Sequence, residues 1–303
     1  MEEYGPRPFG YGDLEEKIKK IKGAKGPVKA FVMGKSVLGR SIYALGMGQL
    51  RQPALMVGAT HGLESITSAL LMMFAEELME ALGNRTQICG VDPRRVQESR
   101  GLIIVPMLNP DGVEIAQHGA RGCLHLAKRI YDICDGHFER WQANARGVDL
   151  NHNFDAHWED SRVIEGIEGP AYAHYPGPAP ESEPETRALL ALTEDYAPTV
   201  TLSYHSRGET IYWYFFQEGE ALERDARLAR RLLDLTGYAG LARGEDLTVT
   251  SFGGYKDYCV ETLGIPAFTI ETGASAWGIP VPIERFPEIY AQCKNLTALA
   301  AAP

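Results

Sequence analysis

The first fifty residues change from a helical to a strand-like hydrophobic pattern. Asp13–Lys22 (DLEEKIKKIK) places its apolar side chains on one face of a short amphipathic helix. Two apolar segments, Val28–Met33 and Ser41–Met47, then flank the turn-rich sequence GKSVLGR, a pattern that indicates a hairpin. We therefore predict a helix followed by a β-hairpin, and we expect residues 1–50 to be integral to the catalytic domain.

Four short apolar runs follow, and they alternate little between polar and apolar positions. The runs are Ala54–Gly58, Leu102–Met107, Val200–Tyr204 and Pro266–Ile270. Runs of this kind are typical of strands that helices bury on both faces. Helical patterns lie between them, over Ser65–Leu82, Glu185–Tyr196 and Leu222–Leu235. This alternation predicts an α/β fold with a central mixed, mostly parallel sheet and helices on both faces.

No internal repeat, low-complexity tract or linker divides the sequence. We therefore expect residues 1–303 to form a single domain. The stretch Asn109–Pro184 is rich in Gly, Asn, His and Pro. Connections of this length are usually functional, so we expect this one to contribute to a site.

Charge and composition argue against several kinds of partner. The formal net charge of −10 argues against nucleic acid and anionic lipid. No apolar stretch approaches the roughly 18 residues that predict a membrane span. The five cysteines show no CxxC spacing, which indicates neither a thiolate zinc site nor a disulfide framework. Free thiols and an N-terminal segment without an apolar signal core favour the cytoplasm, with export by another route left open.

Metal-binding side chains follow three of the four predicted buried strands. His61 and Glu64 come just after the first run, His205 directly after the third, and Glu271 directly after the fourth. Ligands of open α/β sheets bind beyond the carboxyl ends of the strands, so we expect these side chains to converge. Two imidazoles, a carboxylate and an open position form the ligand set of a catalytic zinc ion. Cobalt or manganese would also be accepted by such a site.

Eight segments in order along the chain carry a family resemblance. They are GKSVLGRSIYAL (Gly34–Leu45), GATHGLES (Gly58–Ser65), LNPDGVE (Leu108–Glu114), RGVDLNHNF (Arg146–Phe154), SEPETRAL (Ser182–Leu189), SYHS (Ser203–Ser206), GGYKDY (Gly253–Tyr258) and FTIETG (Phe268–Gly273). With them the sequence resembles the zinc carboxypeptidase superfamily, which includes carboxypeptidase A and bacterial γ-D-glutamyl-diamino acid peptidases. The resemblance covers nearly the whole chain and implies a single-domain zinc carboxypeptidase-like fold.

The resemblance also implies the chemistry of the site. It assigns one zinc ion to His61, Glu64 and His205, and it makes Glu271 the catalytic carboxylate. Zinc lowers the pKa of its bound water to about 7 and polarises the scissile carbonyl. Glu271 would accept a proton from that water and pass it to the leaving amine.

One departure from the family pattern concerns the grip on the substrate carboxylate. The family normally has Asn and Arg where this chain has Asn151 and His152. A guanidinium is permanently charged and two-pronged, whereas a neutral imidazole is neither, which puts ordinary exopeptidase action in question. Arg146 or Arg207 could supply the missing cation, or His152 could bind when protonated. The alternative is that His152 only packs against its neighbours.

A second departure concerns the pocket that selects the substrate side chain. In the family, the residue fifteen positions before the catalytic glutamate sets this preference, and here it is Lys256. A lysine there favours a substrate group with a carboxylate, such as an acidic residue or diaminopimelate. The alternative is that Lys256 pairs with Asp257.

Two further family positions also differ. The tyrosine of the mobile loop in digestive carboxypeptidases falls near Val249, and Tyr255 is the nearest candidate. The arginine that polarises the substrate carbonyl is replaced by Gln142, so the role falls to Gln142, to Arg146 or to zinc alone. A neutral amide stabilises a developing oxyanion less than a charged group does.

These observations favour a zinc peptidase that cleaves a peptide or γ-glutamyl amide bond in bacterial cell-wall peptides, next to a diamino acid. The expected partner is a small peptide, such as a soluble muropeptide stem. Two alternatives stay open. One is a zinc amidohydrolase that acts on small acidic N-acyl amino acids, and the other is a metal-binding, peptide-recognition domain without turnover.

Overall fold

The structure is a computed structural model that describes residues 7–24, 26–98, 100–161, 167–240 and 252–301. Its strands are β1 (Val28–Lys35), β2 (Ser41–Met47), β3 (Ala54–Val57), β4 (Leu102–Val105), β5 (Val200–Ser206), β6 (Thr210–Tyr212), β7 (Ala239–Gly240) and β8 (Ala267–Thr272). Its α-helices are α1 (Tyr11–Gly23), α2 (Ser65–Asn84), α3 (Arg94–Glu98), α4 (Pro110–His118), α5 (Ala127–Cys134), α6 (Trp158–Ser161), α7 (Pro184–Tyr196), α8 (Gly219–Thr236), α9 (Tyr255–Glu261) and α10 (Phe286–Ala301).

The strands of the described residues form one eight-stranded sheet in the order β1-β2-β4-β3-β5-β8-β6-β7. The four central strands, β4, β3, β5 and β8, are parallel to one another. The hairpin β1–β2 pairs antiparallel with β4, and β6 pairs antiparallel with β8. The predicted mixed, mostly parallel sheet is therefore confirmed. The hairpin is hydrogen-bonded into this sheet, while the single-domain extent of 1–303 stays a prediction.

Helices pack on both faces of the sheet because successive strand residues point to opposite sides. On one face Met56 joins a buried cluster with Leu70 of α2 and with side chains of α1, α8 and α10. On the other face its neighbour Leu55 packs with Leu189 of α7 and Cys259 of α9. The central strands are thus apolar on both sides, which is why their sequences show no alternation.

Two central strands extend further than the apolar pattern predicts. β5 continues through His205 to Ser206, and β8 continues through Glu271 to Thr272. The two strands pair in parallel with His205 opposite Glu271. The pattern misses these ends because the ladder is made by backbone groups, which pair whatever the side chain. The histidine and the glutamate therefore lie side by side inside the sheet rather than in the loops after it.

The long connection between α4 and α7 is not a plain loop. It contains α5, α6 and short 3-10 turns, and it packs its own small apolar cluster around Trp141. It passes the carboxyl ends of the central strands and brings Gln142 and Asp149 beside the loop that follows β3. This placement of Gln142 and Asp149 agrees with the expectation that Asn109–Pro184 contributes residues to a functional site.

Candidate metal centre and active site

The three predicted metal ligands meet at the carboxyl end of the central strands. His61 follows β3 and precedes a 3-10 turn over Gly62–Glu64, which leads directly into α2. His61 Nδ1 lies 3.0 Å from Glu64 Oε1, and His205 Nδ1 lies 3.1 Å from Glu64 Oε2. The two Nδ1 atoms are 3.2 Å apart. Glu64 and His205 are buried, at 3% and 1% exposure.

These distances fit a zinc ion. Two ligand nitrogens at the usual bond length to tetrahedral zinc are separated by about 3.3 Å, close to the spacing between the two imidazoles here. The donor set of two imidazoles and one carboxylate is also one of the sets that hold zinc at catalytic sites. The residues present therefore suit the ion that the sequence predicts.

A close backbone approach holds the loop that carries His61 and Glu64. Gly62 donates its backbone N–H to the Gln142 carbonyl at 2.9 Å. A Cβ atom at Gly62 would lie 2.3 Å from the carbonyl oxygen of Gly112 in α4, a distance that no side chain tolerates. Glycine is therefore required at this position, between the two candidate ligands.

Asp149 orients the first histidine, and reasoning from the sequence missed it. Its Oδ1 atom lies 3.1 Å from His61 Nε2, and its carboxylate is 1% exposed. A carboxylate at that nitrogen holds the proton on Nε2 and leaves the Nδ1 lone pair free for a metal. The Asp in RGVDLNHNF, two positions before Asn151, was the available signal.

The electrostatics of the cluster favour a positive charge at its centre. Burial lowers the pKa of His61, but the Glu64 and Asp149 carboxylates outweigh it and raise that pKa well above its usual value. Burial raises the pKa of Glu64, but His61 and His205 lower it to about 2. A divalent cation supplies the same positive charge and displaces the imidazole protons as it binds.

Glu271 lies next to the three candidate ligands. It is directly opposite His205 in the β5–β8 ladder, and its side chain is half-buried. Burial of the carboxyl group raises the pKa of Glu271 to about 7, an effect that His205 partly offsets and Glu64 reinforces. A carboxylate with this pKa is matched to proton transfer near neutral pH.

The predicted carboxylate-binding pair, Asn151 and His152, lies in the 3-10 turn that directly follows Asp149. Asn151 is partly exposed and donates its backbone N–H to Asp149 Oδ1 at 3.1 Å. His152 is buried, and its Nδ1–H donates to the Phe252 carbonyl at 2.8 Å. Its other nitrogen, Nε2, lies 3.5 Å from Nδ1 of His174. Reasoning from the sequence missed His174, since only the histidine content of its loop pointed to it.

Lys256, the predicted specificity residue, and Tyr255, the candidate for the loop tyrosine, both have structural partners. The Lys256 ammonium is paired with the Asp257 carboxylate and donates to the Tyr214 carbonyl at 3.1 Å. Its ion pair is the alternative that the sequence left open, and a role in specificity stays a prediction. Tyr255 is 2% exposed, and its hydroxyl is 2.6 Å from Thr193 Oγ1. The prediction of Tyr255 as a mobile substrate-contacting tyrosine is wrong, because α9 buries the ring against α7.

The candidates for binding the substrate carboxylate or polarising its carbonyl differ in exposure and in their hydrogen-bond partners. Arg146 is exposed and lies 3.3 Å from Glu183 Oε2. Arg207, two residues after His205, is half-buried, and its Nε has no hydrogen-bond partner within the described residues. Gln142 is half-buried beside Gly62. Val249, the family position of the loop tyrosine, lies outside the described residues.

Comparisons with known proteins show the family and the fold to which the chain is similar. Residues 14–292 match the family described as zinc carboxypeptidase. The chain is 30% identical over 296 residues to γ-D-glutamyl-L-diamino acid endopeptidase 1 of Lysinibacillus sphaericus, covering 96% of this chain and 72% of that protein. The carboxypeptidase A structure from Helicoverpa armigera matches with a TM-score of 0.74 and 18% identity, over 98% of this chain and 74% of that one.

The murein-tripeptide amidase MpaA from Escherichia coli O157 shares the fold with a TM-score of 0.55 and 20% identity, over 92% of this chain and 95% of that one. The chain belongs to the zinc carboxypeptidase family. It is a metallopeptidase, and zinc is its cofactor. This membership does not favour the alternative of a recognition domain without turnover. None of the helices in the described residues has the length and apolar character needed to cross a membrane.

Proposed function

We propose that this metallopeptidase hydrolyses a γ-D-glutamyl amide bond next to a diamino acid in small cell-wall peptides. In this proposal His61, Glu64 and His205 hold the zinc ion, and Glu271 is the general base. The observation that carries the proposal is the meeting of three candidate ligand side chains, each with an atom within 3.2 Å of the other two. The catalytic carboxylate stands directly beside them.

The residues of the chain divide the reaction between them. Zinc supplies a Lewis acid that activates water and polarises the scissile carbonyl. Glu271 would accept the proton of the attacking water and return it to the leaving amine, a transfer that is favoured because burial raises the pKa of this carboxyl group. Asp149 keeps the His61 ring in the tautomer whose Nδ1 is free.

The substrate class is proposed from one cation, Arg207, and from the similarity to the Lysinibacillus endopeptidase. A γ-linked D-glutamyl residue has a free α-carboxylate beside the scissile bond, which an ordinary peptide lacks. Arg207 is the available cation for this group, since its Nε is buried without a partner in the described part of the chain. A guanidinium binds a carboxylate through two parallel hydrogen bonds.

We place the enzyme in a reducing compartment such as the cytoplasm, acting on released muropeptides. All five cysteines are free thiols, and four of them are buried. Structural thiols of this kind persist where disulfides do not form. Fractionation of the producing cells would test the location.

The decisive experiment compares two classes of peptide with the zinc-loaded protein. L-Ala-γ-D-Glu-diaminopimelate should be cleaved at the γ-glutamyl bond, while its α-linked isomer and ordinary peptides should be poor substrates. Glu271→Gln should abolish turnover without changing the zinc content. Brisk release of ordinary C-terminal residues with no cleavage of stem peptides would refute the proposed substrate. Full activity in Glu271→Gln would refute the proposed base.

A further inference from the structure

A second cluster of potential metal ligands lies beside the candidate zinc site. It consists of Asp149, His152 and His174, whose ligand atoms all lie within 4.8 Å of one another. Asp149 connects the two clusters, since its Oδ1 contacts His61. Neither His152 nor His174 belongs to the candidate zinc ligands.

The two histidines present nitrogen atoms to each other. His152 Nδ1–H donates to the Phe252 carbonyl at 2.8 Å, and the other ring nitrogen, Nε2, faces His174 Nδ1 at 3.5 Å. Burial lowers the pKa of His174, which favours the neutral form of this ring. Two imidazole nitrogens so placed can share one proton or one metal ion. The distance between these two nitrogens is close to that of two nitrogens bound to one tetrahedral zinc ion, about 3.3 Å.

Asp149 can supply a third ligand without leaving His61. Its Oδ1 accepts from Asn151 N–H and contacts His61 Nε2. Its Oδ2 accepts from the backbone N–H of His174 at 2.9 Å. A carboxylate oxygen has two lone pairs, so Oδ2 can still bind a cation. The set would be two imidazoles and a carboxylate, with a fourth position open.

The backbone of His174 is held in a strained conformation. Its φ is 64°, in the left-handed region, and the residue is exposed. Residues other than glycine seldom adopt this conformation, and it persists where the surroundings enforce it, often at functional sites. Here the hydrogen bond from His174 N–H to Asp149 fixes the residue against the cluster.

We propose that His152 Nε2, His174 Nδ1 and Asp149 Oδ2 bind a second divalent metal ion, whose open position takes a free carboxylate of the substrate. The ion would supply a positive charge at the position where the family pattern has an arginine and this chain has His152. Its role with substrate rests on the proposed function, whereas the existence of the site does not.

The test is the metal stoichiometry of the whole protein. After removal of metal and dialysis against Zn²⁺, elemental analysis should find two zinc ions per wild-type chain and one per chain of His174→Asn. Asparagine tolerates a left-handed backbone, so this variant should fold. His174→Gly, which also tolerates that backbone, should likewise bind one ion. The matched control is His157→Asn, because His157 is also exposed and has a φ of 53°; it should keep two ions.

Substitution by Co²⁺ gives a second readout, since the absorption of the His174 variant should lose the component that the second metal site contributes. For a substrate with a free carboxylate, His174→Asn should raise KM about tenfold or more with little change in kcat. One zinc ion in the wild type, or two in both His174 variants, would overturn the inference. These counts do not depend on the substrate, so failure to cleave stem peptides would refute only the proposed function.

Discussion

Lys256 offers a sharp test of whether a residue of the specificity pocket serves substrate or fold. Its side chain is 10% exposed and that of Asp257 is 2% exposed, and the two form an ion pair. The ammonium also donates to the Tyr214 carbonyl and lies 5.0 Å from the centre of the Phe215 ring. Lys256→Met keeps most of the side-chain volume and removes the charge. Asp257 would then be buried without its cation.

The expected loss of stability is large. Burial already raises the pKa of Asp257, and the neighbouring ammonium is the main group that offsets this effect. Removing one partner of a buried ion pair typically costs about 3–5 kcal/mol. For a chain of this length that loss corresponds to a fall in Tm of about 5–8 °C. Thermal unfolding followed by circular dichroism measures it.

The double variant Lys256→Met/Asp257→Asn separates the lost pair from lost packing. Asparagine can still accept the Gly254 N–H, which Asp257 Oδ2 accepts at 3.2 Å. With no buried charge left, most of the stability should return. The control is Lys128→Met, which breaks an exposed pair with Asp132, at 86% and 56% exposure. This change should alter stability by less than about 1 kcal/mol.

Kinetics then decide the role of Lys256 in specificity. If the ammonium is committed to Asp257, the double variant should lose kcat/KM equally on peptides with acidic and with neutral side chains at the selected position. An unchanged Tm in Lys256→Met, together with a selective loss on acidic substrates, would refute this reasoning. Lys256 would then be a free substrate-binding cation.

Three further outcomes test the metal loop and the base. Asp149→Asn keeps an acceptor for His61 but removes the charge, and it should weaken zinc binding by about tenfold to a hundredfold in a chelator competition. Asp132→Asn serves as the control, and equal zinc affinity in the two variants would contradict this prediction. Gly62→Ala should displace the loop that carries His61 and Glu64, and so lower both Tm and zinc content, because the added Cβ atom would meet the Gly112 carbonyl. The control is Gly83→Ala, which should remain stable because no other atom lies within 4 Å of the added Cβ atom. The base must be ionised, and burial raises the pKa of Glu271 to about 7 before the zinc charge lowers it again. We therefore expect kcat/KM to fall with decreasing pH on a limb between about pH 5 and pH 7, and a profile that stays flat down to about pH 5 would refute this.

Much of the fold was predictable because it depends on local patterns. Apolar runs without alternation predicted β3 and β4 and most of β5 and β8, and helical periodicity predicted α2, α7 and α8. The pattern did not predict β6 and β7, which have three and two residues. Segments so short carry too little periodicity to be distinguished from loops.

The sequence by itself determined which residue types stand at the strand ends, and so predicted His61, Glu64, His205 and Glu271 as one cluster. It could not determine the partners of side chains that folding brings together from distant segments. The Asp149 carboxylate contacts His61, and the Thr193 hydroxyl is hydrogen-bonded to the hydroxyl of Tyr255. Lys256 and Asp257 are adjacent in sequence, yet only burial makes their pairing a matter of stability. Periodicity is encoded locally, whereas burial and long-range contacts exist only after the elements have packed, so the tertiary structure decided these roles.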